Sequence, residues 1–380
     1  MLLDWPTDAE TVPPHPFGQE SVALDELIRK QVLPLFVLDR NATVSPLGAG
    51  LINLTFLVTS GDQRFVLQRV NPLFSPAIHE NIRAVTTALT AAGMVTPALV
   101  PARDGALYAR LPAAGDAPGA APTVWRLMTH IAGVSFDIVA GAAQAREAGA
   151  LVARFHAALA GLPHAFVGLR AGVHDTPRHL TSLRRAAAEH PTHRLFSRAA
   201  PLAERILEAA AALPVLPALP ALIGHGDLKF NNFLFAGSSV PDRDHATCLI
   251  DLDTVGPLAL AFELGDAWRS WCNKAGEDCE EAALDIDVLA ASLDGYQGGL
   301  GRGLHADERR ALLLGPEWIS LELAARFAAD ALVESYFGWD PARFAGRGEH
   351  NLVRALGQFS LYGELARSRA RRARLLAITA

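Results

Sequence analysis

Two neighbouring stretches decide how this chain is read. The first is His225-Gly226-Asp227-Leu228-Lys229-Phe230-Asn231-Asn232-Phe233-Leu234-Phe235, and the second is Cys248-Leu249-Ile250-Asp251-Leu252-Asp253-Thr254. The apolar runs at 233–235 and 248–250 read as short strands, and the polar residues 237–245 between them read as a loop. A hairpin of that kind brings the loop ending at Asn232 close to Asp251. Asp227 then stands before the first strand, Asn232 follows it by five positions, and Asp251 closes the second strand. All three carry oxygen. That suits a hard divalent cation, and a carboxylate also suits a hydroxyl group that must give up its proton.

Such a set is what phosphoryl transfer needs: a proton-accepting Asp in one loop, then an Asn and a second Asp to hold magnesium. A surface hairpin can carry stray acids, but not often at these spacings. Working outward, residues 53–58 and 64–70 alternate as strands around the turn Ser60-Gly61-Asp62-Gln63. Ser75-Pro76 offers a helix start and Gly93 a stop, so a helix is expected over 76–92 with Ile82, Val85 and Leu89 on one face. Residues 106–111 and 123–128 read as two more strands, joined by a Pro/Gly-rich connector. Helices are expected at 21–32, 142–159, 183–190 and 199–213, and through most of the chain beyond 255. The result is an α+β chain with a small β-rich front and a larger, mostly helical back, dividing into residues 1–129 and 130–380.

Composition narrows the options. Of 380 residues, 50% are hydrophobic and 19% charged, which excludes wholesale disorder. The 34 basic and 40 acidic residues leave a net charge of −6, against a general nucleic-acid or membrane-surface binder. Three cysteines, Cys248, Cys272 and Cys279, match no common zinc spacing and suit a reducing compartment. The first residues lack a basic, apolar leader, and a cytoplasmic protein is expected. Residues 1–20 read as a loose arm. The basic run Arg367-Ser368-Arg369-Ala370-Arg371-Arg372-Ala373-Arg374 reads as a solvated helix end. His156 reads as a core histidine and the cysteines as core or helix residues.

His225-Gly226-Asp227 with Asn232, followed by Ile250-Asp251, resembles the aminoglycoside phosphotransferase and choline kinase superfamily. A longer set of segments is similar to its N-acetylhexosamine 1-kinase branch. These are Gly50-Leu51-Ile52-Asn53-Leu54-Thr55-Phe56, Val66-Leu67-Gln68-Arg69-Val70-Asn71, Glu80-Asn81-Ile82, Lys229-Phe230-Asn231-Asn232, Ile250-Asp251-Leu252-Asp253-Thr254-Val255 and Leu264-Gly265-Asp266-Ala267-Trp268-Arg269. The resemblance implies a bilobal protein-kinase-like fold, ATP and Mg²⁺ as cofactors, and a small-molecule acceptor, in that branch the anomeric hydroxyl of an amino sugar. It implies Asp227 as catalytic base, and Asn232 and Asp251 as metal ligands.

It further implies Gly48-Ala49-Gly50 as a turn over the phosphates, and Met128-Thr129-His130-Ile131 as a hinge. There Thr129 and Ile131 would offer backbone to adenine, with Met128 beside it, although a core methionine fits as well. Kinases place a lysine on the third strand, and Phe65-Val66-Leu67-Gln68-Arg69 has none. Strand alternation sends Gln68 and Arg69 to opposite faces, and both stay candidates for the phosphates. Glu80 is the expected partner from the front helix, or else a solvated helix position. His174, Asp175 and Arg178 are expected to face the acceptor, although Asp175-Thr176-Pro177 is also ordinary helix-start chemistry. Asp253 could serve the sugar, the loop or a second metal, and Asp266 and Arg269 the underside of the catalytic loop. Glu263 stands where the superfamily often has Asp. Aminoglycosides, homoserine and choline are the rival acceptors. A nucleotide-binding pseudokinase is the rival of another class.

Overall fold

The computed structural model describes residues 24–47, 53–112, 122–170 and 172–378. The residues before 24, and Gly48 and Gly50 with them, lie outside this set. Strands β1 (Thr43–Pro46), β2 (Leu54–Ser60), β3 (Gln63–Val70), β4 (Leu99–Val100), β5 (Ala109–Leu111) and β6 (Thr123–Thr129) form one antiparallel sheet. Its order is β1-β2-β3-β6-β4, with β5 also paired to β6. The β2–β3 hairpin turns on Gly61 and Asp62 as its sequence predicts. Short β1 and two-residue β4 carry too little alternation to be seen in the sequence.

The two faces of β3 and β6 differ, because neighbours on a strand point opposite ways. Phe65, Leu67, Trp125 and Leu127 join a cluster with Ile28, Val32 and Phe36. Those last three belong to the leading helical segment, which runs from a π-turn at Ile28–Val32 to a 3-10 turn at Leu33–Leu35 rather than as one regular helix. Val70 and Met128 face the other way, into the larger core.

Helix α1 (Ile78–Ala91) lies between the sheet and the back of the molecule. It buries Ile78, His79, Ile82, Val85 and Leu89, and its apolar face belongs to the back-lobe core. That back lobe holds α2 (Ala142–Leu159), α3 (Thr176–Glu189), α4 (Phe196–Ala212), α5 (Leu260–Trp271), α6 (Ile286–Gly299), α7 (Ala306–Val333) and α8 (Arg347–Leu375). α3 starts earlier than the periodicity suggests, because Asp175 caps it and Pro177 sits in its first turn. Helices α2 and α6 touch backbone to backbone: a Cβ on Gly295 would lie 1.9 Å from the Arg146 carbonyl oxygen. The architecture is a β-rich front lobe and a helical back lobe, as the sequence leads one to expect.

The basic end of α8 is solvated only in part: Arg367, Arg371 and Arg374 are exposed. Arg372 is buried against the equally buried Glu317, Arg369 reaches the same carboxylate, and Arg371 and Arg367 pair with Asp287 and Glu364. Only carboxylates on other turns and helices could reveal this, and the run itself does not show them. Cys248 and Cys272 are core residues, whereas Cys279 is exposed in a loop. No helix among the described residues is long and apolar enough to cross a membrane.

Candidate active site

The catalytic loop runs from β7 (Leu222–Gly224) into a 3-10 turn at Phe230–Asn232 and then β8 (Phe233–Phe235). β8 pairs with β9 (Ala246–Leu249), with Phe233 opposite Leu249. The expected hairpin therefore exists, and the Ile250 N–H donates to the Asn232 carbonyl at 2.9 Å. Asp227, Asn232 and Asp251 meet at its open end. Asn232 Nδ2 donates to the Asp227 carbonyl oxygen at 2.9 Å, which fixes the carboxamide; its Oδ1 accepts nothing from the described residues.

The loop's shape has identifiable causes. Gly226 has φ +79°, and a Cβ there would lie 2.7 Å from the Thr254 carbonyl oxygen. Any side chain at that position meets both strain and a clash, which accounts for glycine beside Asp227. His225 ties the two halves: Nε2 donates to the Ile250 carbonyl at 2.8 Å, and Nδ1 accepts from the Asp227 N–H at 3.3 Å. Thr254 Oγ1 donates to the His225 carbonyl at 2.8 Å. Gly226→Ala should destabilise the fold by at least about 1–2 kcal/mol, the left-handed backbone cost alone, read as a lower urea midpoint. An unchanged midpoint with full activity would contradict the backbone constraint.

Glu263, on α5, takes the anchoring role from below. Its carboxylate accepts from the His225 N–H at 2.8 Å and the Gly226 N–H at 3.0 Å. His156 meets it at 3.3 Å and bonds Tyr296 at 3.0 Å, so His156 is indeed a satisfied core histidine. Burial works against charge on Glu263, but His156 and the donors from His225 hold its carboxyl below the ordinary range. Trp271 Nε1 donates to the Leu228 carbonyl at 2.6 Å. Asp266 pairs with Arg269 at 2.9 Å, and Arg269 reaches on to Glu277. The sequence reading gave the underside of the loop to Asp266 and Arg269 and noted Glu263 only as standing where the superfamily often has Asp; the contacts of Trp271 and Lys229 escaped it. Lys229, two positions after Asp227, places Nζ 3.2 Å from Asp227 Oδ2.

Asp251 sits in the left-handed region at φ 62°, an unusual conformation for a non-glycine residue and one that clusters at functional sites. Burial first, then the carboxylates of Asp253 and Asp227, push its carboxyl up to about 6, against the opposing pull of Arg126. A cation would relieve that crowding. No group of three His, Cys, Asp or Glu side chains placed to hold a metal ion by themselves occurs among the described residues. Magnesium does not need one: it is commonly held by one or two carboxylates together with substrate phosphates and water. Asp251 and the Asn232 carboxamide oxygen, Oδ1, fit it.

The cleft face of the sheet settles where Gln68 and Arg69 stand. Gln68 lies on the face of Met128 and bonds Thr55 Oγ1 at 3.2 Å; Arg69 lies on the opposite face, across from Trp125. Gln68→Ala should therefore raise the KM for ATP severalfold, and Arg69→Ala should act mainly on stability. The reverse pattern in steady-state kinetics would contradict this placement. Glu80 is corrected: it is exposed on α1 and bonded to Arg83, while the preceding residue, His79, points inward. The helix face through Ile78 and Ile82 leaves Glu80 about 200° from Ile78, toward solvent.

Met128 is buried in the core that α1 shares with the back lobe. The Thr129 N–H donates to the Ala98 carbonyl and its Oγ1 accepts from the Ala98 N–H, and Ile131 follows half-buried. His174 stacks on Phe262 at 5.0 Å and bonds the buried Glu322 at 3.1 Å. It lines a groove of about 440 Å³ with Thr181, Arg184, Phe262 and Trp318. Asp175 is the cap of α3, its Oδ1 accepting from the Arg178 N–H, and the Arg178 side chain is exposed. Asp253 turns to the front lobe: Asn53 Nδ2 donates to one oxygen at 2.8 Å, and Arg126 pairs with the other.

The sequence matches the APH phosphotransferase enzyme family over residues 43–306. Among solved structures, an amicoumacin kinase in complex with AMP-PNP and Ca²⁺ aligns with a TM-score of 0.59 and 11% identity, over 91% of this chain and 96% of that one. An aminoglycoside phosphotransferase from Alicyclobacillus acidocaldarius aligns at 0.56 and 15% identity, over 97% and 99%. A microcompartment-associated aminopropanol kinase aligns at 0.55 and 18%, over 94% and 100%.

Proposed function

The chain belongs to the APH phosphotransferase family and is a small-molecule phosphotransferase, and from that premise we propose that it moves the γ-phosphoryl of ATP to the anomeric hydroxyl of an N-acetylhexosamine. The observation that carries the kinase half of this reading is the convergence of Asp227, Asn232 and Asp251 on one loop end. Asp227 accepts the acceptor hydroxyl proton and aims its oxygen at the phosphorus. Lys229, bonded to Asp227 Oδ2, holds that carboxylate in place. Asn232 and Asp251 would hold magnesium, whose charge would offset that of the nucleotide phosphates. The Thr129 carbonyl and the Ile131 N–H receive adenine. Catalysis is positioning plus electrostatics, with direct transfer between oxygens.

The acceptor half rests on the sequence segments that resemble the hexosamine-kinase branch, and the groove beside His174 supports it. The ring faces of His174, Phe262 and Trp318 suit the C–H face of a pyranose, and Thr181 and Arg184 offer hydrogen bonds. Asp266 connects this groove to the catalytic loop. Burial opposes its charge, but Arg269, His174 and Lys229 together hold its carboxyl below the ordinary range. Choline is disfavoured, because Trp268 and Trp271, the tryptophans a cation cage could have used, are both buried in the core. The test is ATP consumption across N-acetylhexosamines, hexoses, aminoglycosides, choline, aminopropanol and homoserine. N-acetylhexosamines should give the highest kcat/KM, and preference for an amine or aminoglycoside would overturn the acceptor assignment.

A further inference from the structure

The place on β3 where a kinase carries its lysine is taken here by Gln68, and the residue paired with Gln68 on β6 is Arg126. Arg126 is buried on the cleft face. Its Nε donates to Gln68 Oε1 at 2.8 Å, and its Nη1 pairs with Asp253. Asp253 is held from the other side by Asn53, whose Oδ1 accepts from the Asn71 N–H at 2.9 Å. A guanidinium has five N–H donors, and these contacts use two. Its plane is thus fixed, and among the described residues most of its donors have no partner.

The position of the cluster matters as much as its bonds. Asp253 follows Asp251 by two residues, so Arg126 is tied to the loop that presents the metal-binding carboxylate. A buried ion pair costs both charges their hydration and is weak evidence for stability by itself. Other groups that could meet the phosphates from this side are placed elsewhere. Arg69 is on the far face of the sheet, and Glu80 is in solvent. From α1 the inward group is His79, with Nδ1 on the Pro76 carbonyl at 2.7 Å and a buried Nε2 without a partner among the described residues. Burial, then Arg126, push its imidazole down to about 4. A neutral imidazole does not compete with phosphate for a guanidinium as a helix carboxylate would.

We propose that Arg126 is the phosphate-binding cation of the nucleotide site, replacing the absent β3 lysine, and that Gln68 and Asp253 hold it in position. The proposal rests on the kinase reading above. It also gives the loss of the lysine a compensation, which a pseudokinase would not need.

Calorimetric titration of the full chain with Mg–ATP and with adenosine tests it. Arg126→Gln alone would strand the Asp253 charge, so the informative variant is Arg126→Gln/Asp253→Asn. It should weaken Mg–ATP binding about 10- to 100-fold, the scale of a charge-assisted contact, while adenosine affinity stays within about twofold. Asp253→Asn alone should cost part of the Mg–ATP affinity and less than the double variant, since the guanidinium keeps its charge and its bond to Gln68 but loses its second hold. If the double variant does not fold, Arg126→Lys decides: it should weaken Mg–ATP and not adenosine, because the planar fork is lost. Equal losses for ATP and adenosine, no loss for ATP, or the whole loss in Asp253→Asn alone would overturn the role of Arg126. A wild-type chain that binds Mg–ATP no more tightly than adenosine would instead overturn the kinase reading beneath it.

Discussion

Asp227→Asn should leave the fold and the ATP affinity nearly intact and lower kcat by about 10²–10⁴, the contribution of a positioned general base. The amide is isosteric and can still accept from Lys229 Nζ, which lies 3.2 Å from Asp227 Oδ2. The contacts that hold the loop use the Asp227 backbone: its N–H on His225 and its carbonyl under Asn232. None of these needs the carboxylate. What the amide cannot do is take a proton from the acceptor hydroxyl. The loss should therefore fall on kcat, with the KM for ATP little changed. A decrease smaller than tenfold would mean that Asp227 is not the base.

Asp251→Ala should act on a different step. It removes one of the two protein groups proposed to hold the metal, and changing even a supporting partner of a metal ligand costs about 10- to 100-fold in affinity, so Mg–ATP affinity should fall by about 100-fold or more. Metal-free ATP binding should change little, because the hinge contacts do not involve Asp251. Equal losses with and without magnesium would point to a damaged fold.

The wild-type pH dependence follows from the same carboxyl, raised to about 6 from its ordinary 3.8 by burial and by Asp253. Below about 6 the proton competes with the cation, and Mg–ATP binding should weaken as pH falls. The sign for stability is opposite. Between 3.8 and about 6 the metal-free folded state holds this proton and the unfolded chain does not, so that state loses stability as pH rises through the window. Asp251→Asn should remove that slope.

The catalytic loop and the metal strand were legible because their chemistry is local. His225 to Asp251 are joined by one hairpin, and alternation around a polar loop is enough to bring Asn232 beside Asp251. The β2–β3 hairpin and α2 were legible for the same reason: each is defined by its own period. Arg126 was not, because its role depends on register. It matters only once Gln68 is paired with it across the sheet and Asp253 reaches up from the other lobe. Glu80 was misplaced by a single helical position, enough to exchange a cleft-facing residue for a solvent-facing one. Asp175 and Asp253 illustrate the limit of residue chemistry alone. Either could bond a sugar, yet one caps α3 and the other binds Asn53 and Arg126.

The central claim is transfer to an anomeric oxygen, and phosphorus NMR of the product formed from ATP and an N-acetylhexosamine tests it most directly. A site organised around a substrate O–H can reject an analogue that lacks it by about 10⁴–10⁵. The predicted result is a sugar 1-phosphate, coupled to the anomeric proton, and no product from the corresponding methyl glycoside. A 6-phosphate, or full activity on the methyl glycoside, would contradict the account.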